Sequence, residues 1–87
     1  MTNRIRALVV DDEVPGRDNV RLALREHARW ELVGECASVE EARAAMATAS
    51  VDVVFLDVQM PQESGMVLAR EFAAQAAPPT IVFVTAY

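Results

Sequence analysis

Apolar residues gather in four short runs rich in β-branched side chains, at residues 5–10, 31–37, 51–56 and 80–84. Their length and composition predict strands. The stretches between them carry apolar residues at helical spacing, so strand and helix alternate along the chain. That alternation predicts βαβ crossovers and a parallel sheet, an α/β fold. Ala7-Leu8-Val9-Val10 and Val53-Val54-Phe55-Leu56 are continuous apolar runs, as in strands covered by helices on both faces, and are expected at the centre of the sheet. The second run is more polar, with Glu31 and Glu35 spaced around Val33, which fits an edge strand.

The first helix is expected to open at Pro15, whose fixed φ and missing N–H suit a first turn, and to run to about Ala28. Val20 and Leu24 then face the sheet, and Arg17, Arg21 and Arg25 share the outer face. Ser38-Val39-Glu40-Glu41 reads as a capping box in which serine and glutamate satisfy each other's free backbone donors. Ala42, Ala45, Met46 and Ala49 form the buried stripe of that second helix. A third helix starts near Ser64 and Gly65, buries Leu68 and Phe72, and is stopped by Pro78-Pro79. No repeat, low-complexity tract or linker divides residues 1–87, which read as one small domain.

Composition then narrows the chemistry. Thirteen Asp and Glu stand against eight basic residues, a formal charge of −5. All eight are arginine. Without lysine the chain cannot build a Walker-type phosphate loop or a Schiff base. The acidic balance argues against nonspecific binding to nucleic acid or an anionic membrane. No apolar run approaches the roughly 20 residues of a bilayer span, and the N-terminus lacks a signal-peptide stretch, so the expected setting is soluble and cytoplasmic with no membrane partner. Cys36, the single cysteine, reads as a small core residue. His27 reads as a surface or capping residue, and Trp30 as packing at the turn before the second strand.

Four acids fall at telling places. Asp11, Asp12 and Glu13 follow the first strand directly, and Asp57 follows the third. In an open parallel sheet the ligand site lies beyond the carboxyl ends of the strands, where strand order reverses. If strands one and three are neighbours, these acids meet in one crevice. Clustered carboxylates repel one another unless a cation is present, and the hard, oxygen-seeking Mg²⁺ is the natural candidate. An acidic triplet alone is more readily a solvated turn before a helix, where the macrodipole favours negative charge. Asp57 alters that balance, because a lone aspartate ending Val-Val-Phe-Leu has little structural reason to stand there. Thr85 adds a hydroxyl at the same edge beside the small Ala86. Together the groups suggest phosphoryl transfer onto the Asp57 carboxylate, forming an aspartyl phosphate.

The segments Leu8-Val9-Val10-Asp11-Asp12-Glu13, Leu56-Asp57-Val58-Gln59-Met60-Pro61 followed by Gly65, and Val84-Thr85-Ala86 resemble the receiver domain of two-component response regulators. The three motifs lie in the family's order and at its spacing. The resemblance implies a flavodoxin-like sheet of order 2-1-3-4, with Asp57 as phosphoacceptor from a sensor histidine kinase or phosphotransfer protein. It implies Mg²⁺ bound directly by Asp12, supported by Asp11, and bound also by Asp57 and the backbone carbonyl of Gln59. It makes Thr85 the switch hydroxyl and Ala86 the small residue beside it. Ser64 stands where many members carry aspartate, a change in a surface turn expected to matter little. The run Asp-Asp-Glu-Val-Pro-Gly-Arg and the ending Val-Phe-Val-Thr-Ala-Tyr look like regulators with a LytTR-type DNA-binding output domain, so DNA would be met only through a domain absent from this chain. The chain would be a phosphorylation substrate and not itself an enzyme.

A complete receiver has five strands and five helices, whereas this sequence stops after the fourth strand, without the fifth strand, the last two helices and the family's lysine. The resemblance therefore reads as covering about the first two thirds of a receiver. The expected consequence is an exposed fourth-strand edge that associates, as a homodimer or swapped assembly. The alternative is a signalling-incompetent fragment acting only as an interaction or dimerisation module. A flavin or nucleotide binder on the same sheet would need a Ser/Thr/Gly-rich loop where Asp11-Asp12-Glu13 stands. An aspartyl-phosphate phosphatase would need an Asp-x-Asp nucleophile loop after the first strand, and that spacing is missing.

Overall fold

The structure, a computed structural model, describes residues 3–60 and 64–84. Among them strand and helix alternate as β1 (Ile5–Val10), α1 (Val14–Arg25), β2 (Trp30–Cys36), α2 (Val39–Thr48), β3 (Val53–Asp57), α3 (Gly65–Ala73) and β4 (Thr80–Val84). All strand pairings are parallel, in the expected flavodoxin-like order β2-β1-β3-β4. The chain steps from β1 to β2 on one side, then crosses back past β1 to β3. Right-handed crossovers therefore place α1 on one face of the sheet and α2 and α3 on the other.

Side-chain alternation along the strands serves those two layers. Leu8, Val10, Val54 and Leu56 meet Val39 and Ala42 of α2 and Leu68 and Phe72 of α3 in one buried core. Ala7 and Val9 point the other way and are buried as well, on the face that α1 covers with its buried Leu24. β1 is thus enclosed on both sides, as its unbroken apolar run requires. Among the described residues β4 is an outer strand, and its Val82 and Phe83 are exposed. No helix among them is long and apolar enough to cross a membrane.

Several boundaries shift from the sequence reading, each for a local reason. β2 begins one residue early because Trp30 pairs with Ile5 instead of closing the preceding turn; its ring lies 5.8 Å from that of Phe55. The β1–β2 register slips between Ala7 and Leu8, which face Leu32 and Gly34. β3 begins two residues late, at Val53. Asp52 is instead tied to Arg6 before the strand, its carboxylate accepting the Arg6 N–H at 2.8 Å. α1 starts at Val14 and ends at Arg25, where the His27 N–H turns back to the Leu24 carbonyl at 3.0 Å.

The α2 cap is also modified. Ser38 Oγ accepts the Glu41 N–H at 3.1 Å, but the Glu41 carboxylate accepts the Ala37 N–H at 3.0 Å, one residue before the serine. α3 stops at Ala73, well before Pro78, because the Ala74 and Gln75 N–H groups bend back onto Arg70, Glu71 and Phe72 carbonyls. Arg17 departs from the outer face assigned to it. Its side chain is only 17% exposed and turns toward the carboxyl edge of the sheet.

Candidate functional site

β1 and β3 are adjacent, with Val10 beside Leu56, so the residues that follow them share one edge at the point where strand order reverses. There Asp11, Asp12 and Asp57 each bring a carboxylate oxygen to within 4.8 Å of the others. Asp11 is buried, and Asp12 and Asp57 are half-buried. Glu13 does not join them. It is exposed at the N-cap of α1, the place where an acid is favoured by the helix dipole.

Asp11 is held at every polar atom of its backbone. Its N–H donates to the Cys36 carbonyl at 2.9 Å, which ties it to the end of β2. Its carbonyl accepts Arg17 Nη1 at 2.7 Å. Its carboxylate Oδ1 accepts the Glu13 N–H at 2.9 Å. The other oxygen, Oδ2, lies against Gly16, where an added Cβ would stand 1.9 Å away. Only glycine leaves that space.

Asp57 is the last residue of β3, and its Oδ1 accepts the Gln59 N–H at 3.0 Å. The loop beyond is closed by Gly65, whose N–H donates to the Val58 carbonyl at 3.0 Å. Ser64 caps α3 with its hydroxyl accepting the Met66 N–H at 3.1 Å. Thr85 and Ala86, assigned to the same edge from sequence, lie outside the described residues.

The electrostatics follow from this crowding. Burial raises the Asp57 carboxyl above the ordinary carboxylate range, and Asp11 and Asp12 add to the shift while the Gln59 N–H opposes it. Apart from Arg17 at the Asp11 carbonyl, other arginines pair with acids outside the cluster. Arg21 pairs with Asp18 at 2.7 Å and Glu35 at 3.4 Å, Arg6 with Glu31 at 3.4 Å, and Arg43 with Glu71. Three converging, acceptor-only oxygens, one of them on a buried side chain, suit a hard divalent cation.

Gly16 and Arg17 are the site residues that the sequence reading left without a role. A glycine inside the first turn of a helix is a poor helix former and signals a close approach. Nothing in the helical pattern marks Arg17, whose four-residue spacing with Arg21 and Arg25 suggests a solvated stripe.

Residues 7–87 match the family described as the response regulator receiver domain. An uncharacterised response regulatory protein of Yersinia pestis is 45% identical over 83 residues, covering 95% of this chain and 34% of that protein. The sensory transduction protein LytT of Bacillus cereus is 37% identical with the same coverage. The chain thus spans about a third of the length of these relatives. Among solved structures, the response regulator TrrA of Thermotoga maritima in complex with Mg²⁺ and BeF is similar with a TM-score of 0.83 and 34% identity, over 94% of this chain and 70% of that one.

Proposed function

Because this chain belongs to the response regulator receiver family, we propose that it accepts a phosphoryl group on Asp57 from a sensor histidine kinase or phosphotransfer protein in a Mg²⁺-dependent reaction. The observation that carries this reading is the meeting of Asp11, Asp12 and Asp57 at the β1/β3 edge. Asp11, Asp12 and Asp57, with the Gln59 carbonyl, would hold Mg²⁺, and Thr85 would serve as the switch hydroxyl. A cation bound there supplies positive charge to the transferring phosphoryl oxygens.

The chain's own residues do the rest. The Gln59 N–H fixes Asp57 Oδ1 and leaves Oδ2 to attack phosphorus. The new O–P bond forms as the N–P bond of a phosphohistidine breaks, and the electron pair leaves with the imidazole nitrogen, which takes up a proton. Asp57 is thus the acceptor of a phosphoryl group that passes through the chain as a signal, so the chain acts as a signalling module and not as an enzyme. Any contact with DNA would be made by an output domain outside this chain. LytT and the Yersinia relative supply the analogy for a longer regulator.

Incubation with a small phosphodonor and Mg²⁺ tests the reading. The expected result is one added phosphoryl mass, lost on omission of Mg²⁺ and in Asp57→Asn. Labelling that persists in Asp57→Asn would refute it. A second reading, an interaction module that pairs two copies through β4, draws on the exposed Val82 and Phe83 and predicts a dimer by light scattering that Phe83→Glu dissociates.

A further inference from the structure

We propose that Arg17 is a positioning residue for the cation site: its guanidinium clamps the main chain between Asp11 and Asp12 and so sets where the second carboxylate stands. The inference rests on the receiver reading of the acid cluster and deepens it. The Arg17 side chain is 17% exposed, on a helix whose Arg25 remains exposed. Burying most of a guanidinium is unfavourable unless its N–H groups find acceptors. Here one N–H finds the Asp11 carbonyl at 2.7 Å, and the charge is met by Glu35 Oε1 at ion-pair distance, 4.0 Å.

The choice of carbonyl matters. The Asp11 carbonyl belongs to the planar peptide unit whose other half is the Asp12 N and Cα. A charge-assisted hydrogen bond on that oxygen therefore orients the unit that carries Asp12. The Asp11 N–H is already given to Cys36 at the end of β2, so the peptide planes on both sides of Asp11 are held. The Asp11 carboxylate is set in turn by the Glu13 N–H and the bare surface of Gly16. Gly16 and Arg17 thus act as a pair from the first turns of α1, one admitting the Asp11 carboxylate and the other holding its carbonyl.

Glu35 orients the clamp from the edge strand. Its Oε1 lies between Arg17 and Arg21, 3.4 Å from Arg21 Nη1, and Arg21 is held in turn by Asp18 at 2.7 Å. A lysine could reach the carbonyl or Glu35, but its single ammonium lacks the planar fork that addresses both.

Calorimetric Mg²⁺ titration of the wild type, Arg17→Ala, Arg17→Lys, Glu35→Gln and Leu24→Ala tests the proposal. Arg17→Ala should weaken binding about 10-fold, at the lower end of the effect expected for partners that orient metal ligands. Arg17→Lys should recover part of it and Glu35→Gln should lose less. Leu24→Ala, which loosens α1 without touching the loop, should lower the melting temperature and leave Mg²⁺ affinity unchanged. In metal-free protein the Asp12 and Glu13 amide resonances should shift in Arg17→Ala and stay in Leu24→Ala. Unchanged affinity in a folded Arg17→Ala, or an equal loss in Leu24→Ala, would overturn the proposal alone. If Arg17→Ala does not fold, unchanged affinity in both Arg17→Lys and Glu35→Gln would overturn it. A wild type that takes no Mg²⁺, or whose uptake ignores Asp12→Asn and Asp57→Asn, would overturn the receiver reading of the cluster and this inference with it.

Discussion

Gly65 lies so close to Asp57 that a Cβ added to it would stand 2.3 Å from the Asp57 carbonyl oxygen. The first residue of α3 is thus packed on the backbone that carries the acceptor carboxylate, and its N–H holds the next carbonyl, that of Val58. Gly65→Ala must push the loop away from β3. The expected cost is about 1–3 kcal/mol, typical of overpacking a tight contact. Urea denaturation should show that loss, and phosphoryl labelling of Asp57 should slow beyond what the fraction unfolded explains. Labelling at the wild-type rate would show that the Asp57 carboxylate does not depend on this contact.

The three aspartates make the cation-free protein pay for its own site. A carboxyl raised in the folded state, as Asp57 is by burial and then by Asp11 and Asp12, contributes most below its unfolded value and loses that contribution as pH rises through its folded value. At neutral pH the ionised Asp57 therefore destabilises the metal-free fold. Asp57→Asn removes that charge and should raise the melting temperature in chelator. Mg²⁺ should raise the wild-type melting temperature, by about 2.7 kcal/mol of stability at a hundred times its Kd, and should raise that of Asp57→Asn less. Differential scanning calorimetry with and without Mg²⁺ reads both effects.

Leu68 and its neighbours on α3 allow a test of the core without touching the site. Leu68 is fully buried against the sheet, whereas Val67 is 40% exposed. Leu68→Ala should cost about 2–5 kcal/mol through lost contacts and the cavity left behind. Val67→Ala should stay within about 0.5 kcal/mol, as a surface change away from any special contact. Chemical denaturation of the two variants separates them, and equal losses would mean that α3 is seated differently.

The same contrast explains what could be read from the sequence. Leu68 and Phe72 were legible because a buried helix face repeats at a fixed spacing. The bounds of β1 and β4 were legible because each apolar run coincides with its ladder. β3 was not, since the Asp52 carboxylate caps Arg6 and the ladder opens only at Val53, a fact about hydrogen bonds that hydrophobicity does not record. Asp11, Asp12 and Asp57 stood out because acids placed directly after apolar strands have few structural uses. Arg17 did not, because its long side chain reaches back from a helix position that the pattern assigns to solvent. The Gly16 and Gly65 contacts are invisible until another element's backbone or carboxylate is placed beside them.

Cys36 links this fold to an alkaline transition. Its thiol is buried at the end of β2, and burial, with a smaller contribution from Glu41, pushes it up to about 11. A group whose folded value exceeds its unfolded one stabilises the fold below the unfolded value and loses that contribution as pH rises through the folded one. Stability should therefore fall between the ordinary thiol range and about pH 11. No lysine titrates across this window, because the chain has none. Melting temperatures of the wild type and Cys36→Ala, compared from pH 8 upward, should converge as the thiolate forms, since only the wild type carries the penalty. The native thiol should resist iodoacetamide at pH 8 and react once urea unfolds the chain. Fast alkylation of the folded protein, or parallel melting curves across the window, would place Cys36 in contact with water, and the Cys36 carbonyl that anchors Asp11 would then sit at a looser strand end than its 2.9 Å hydrogen bond shows.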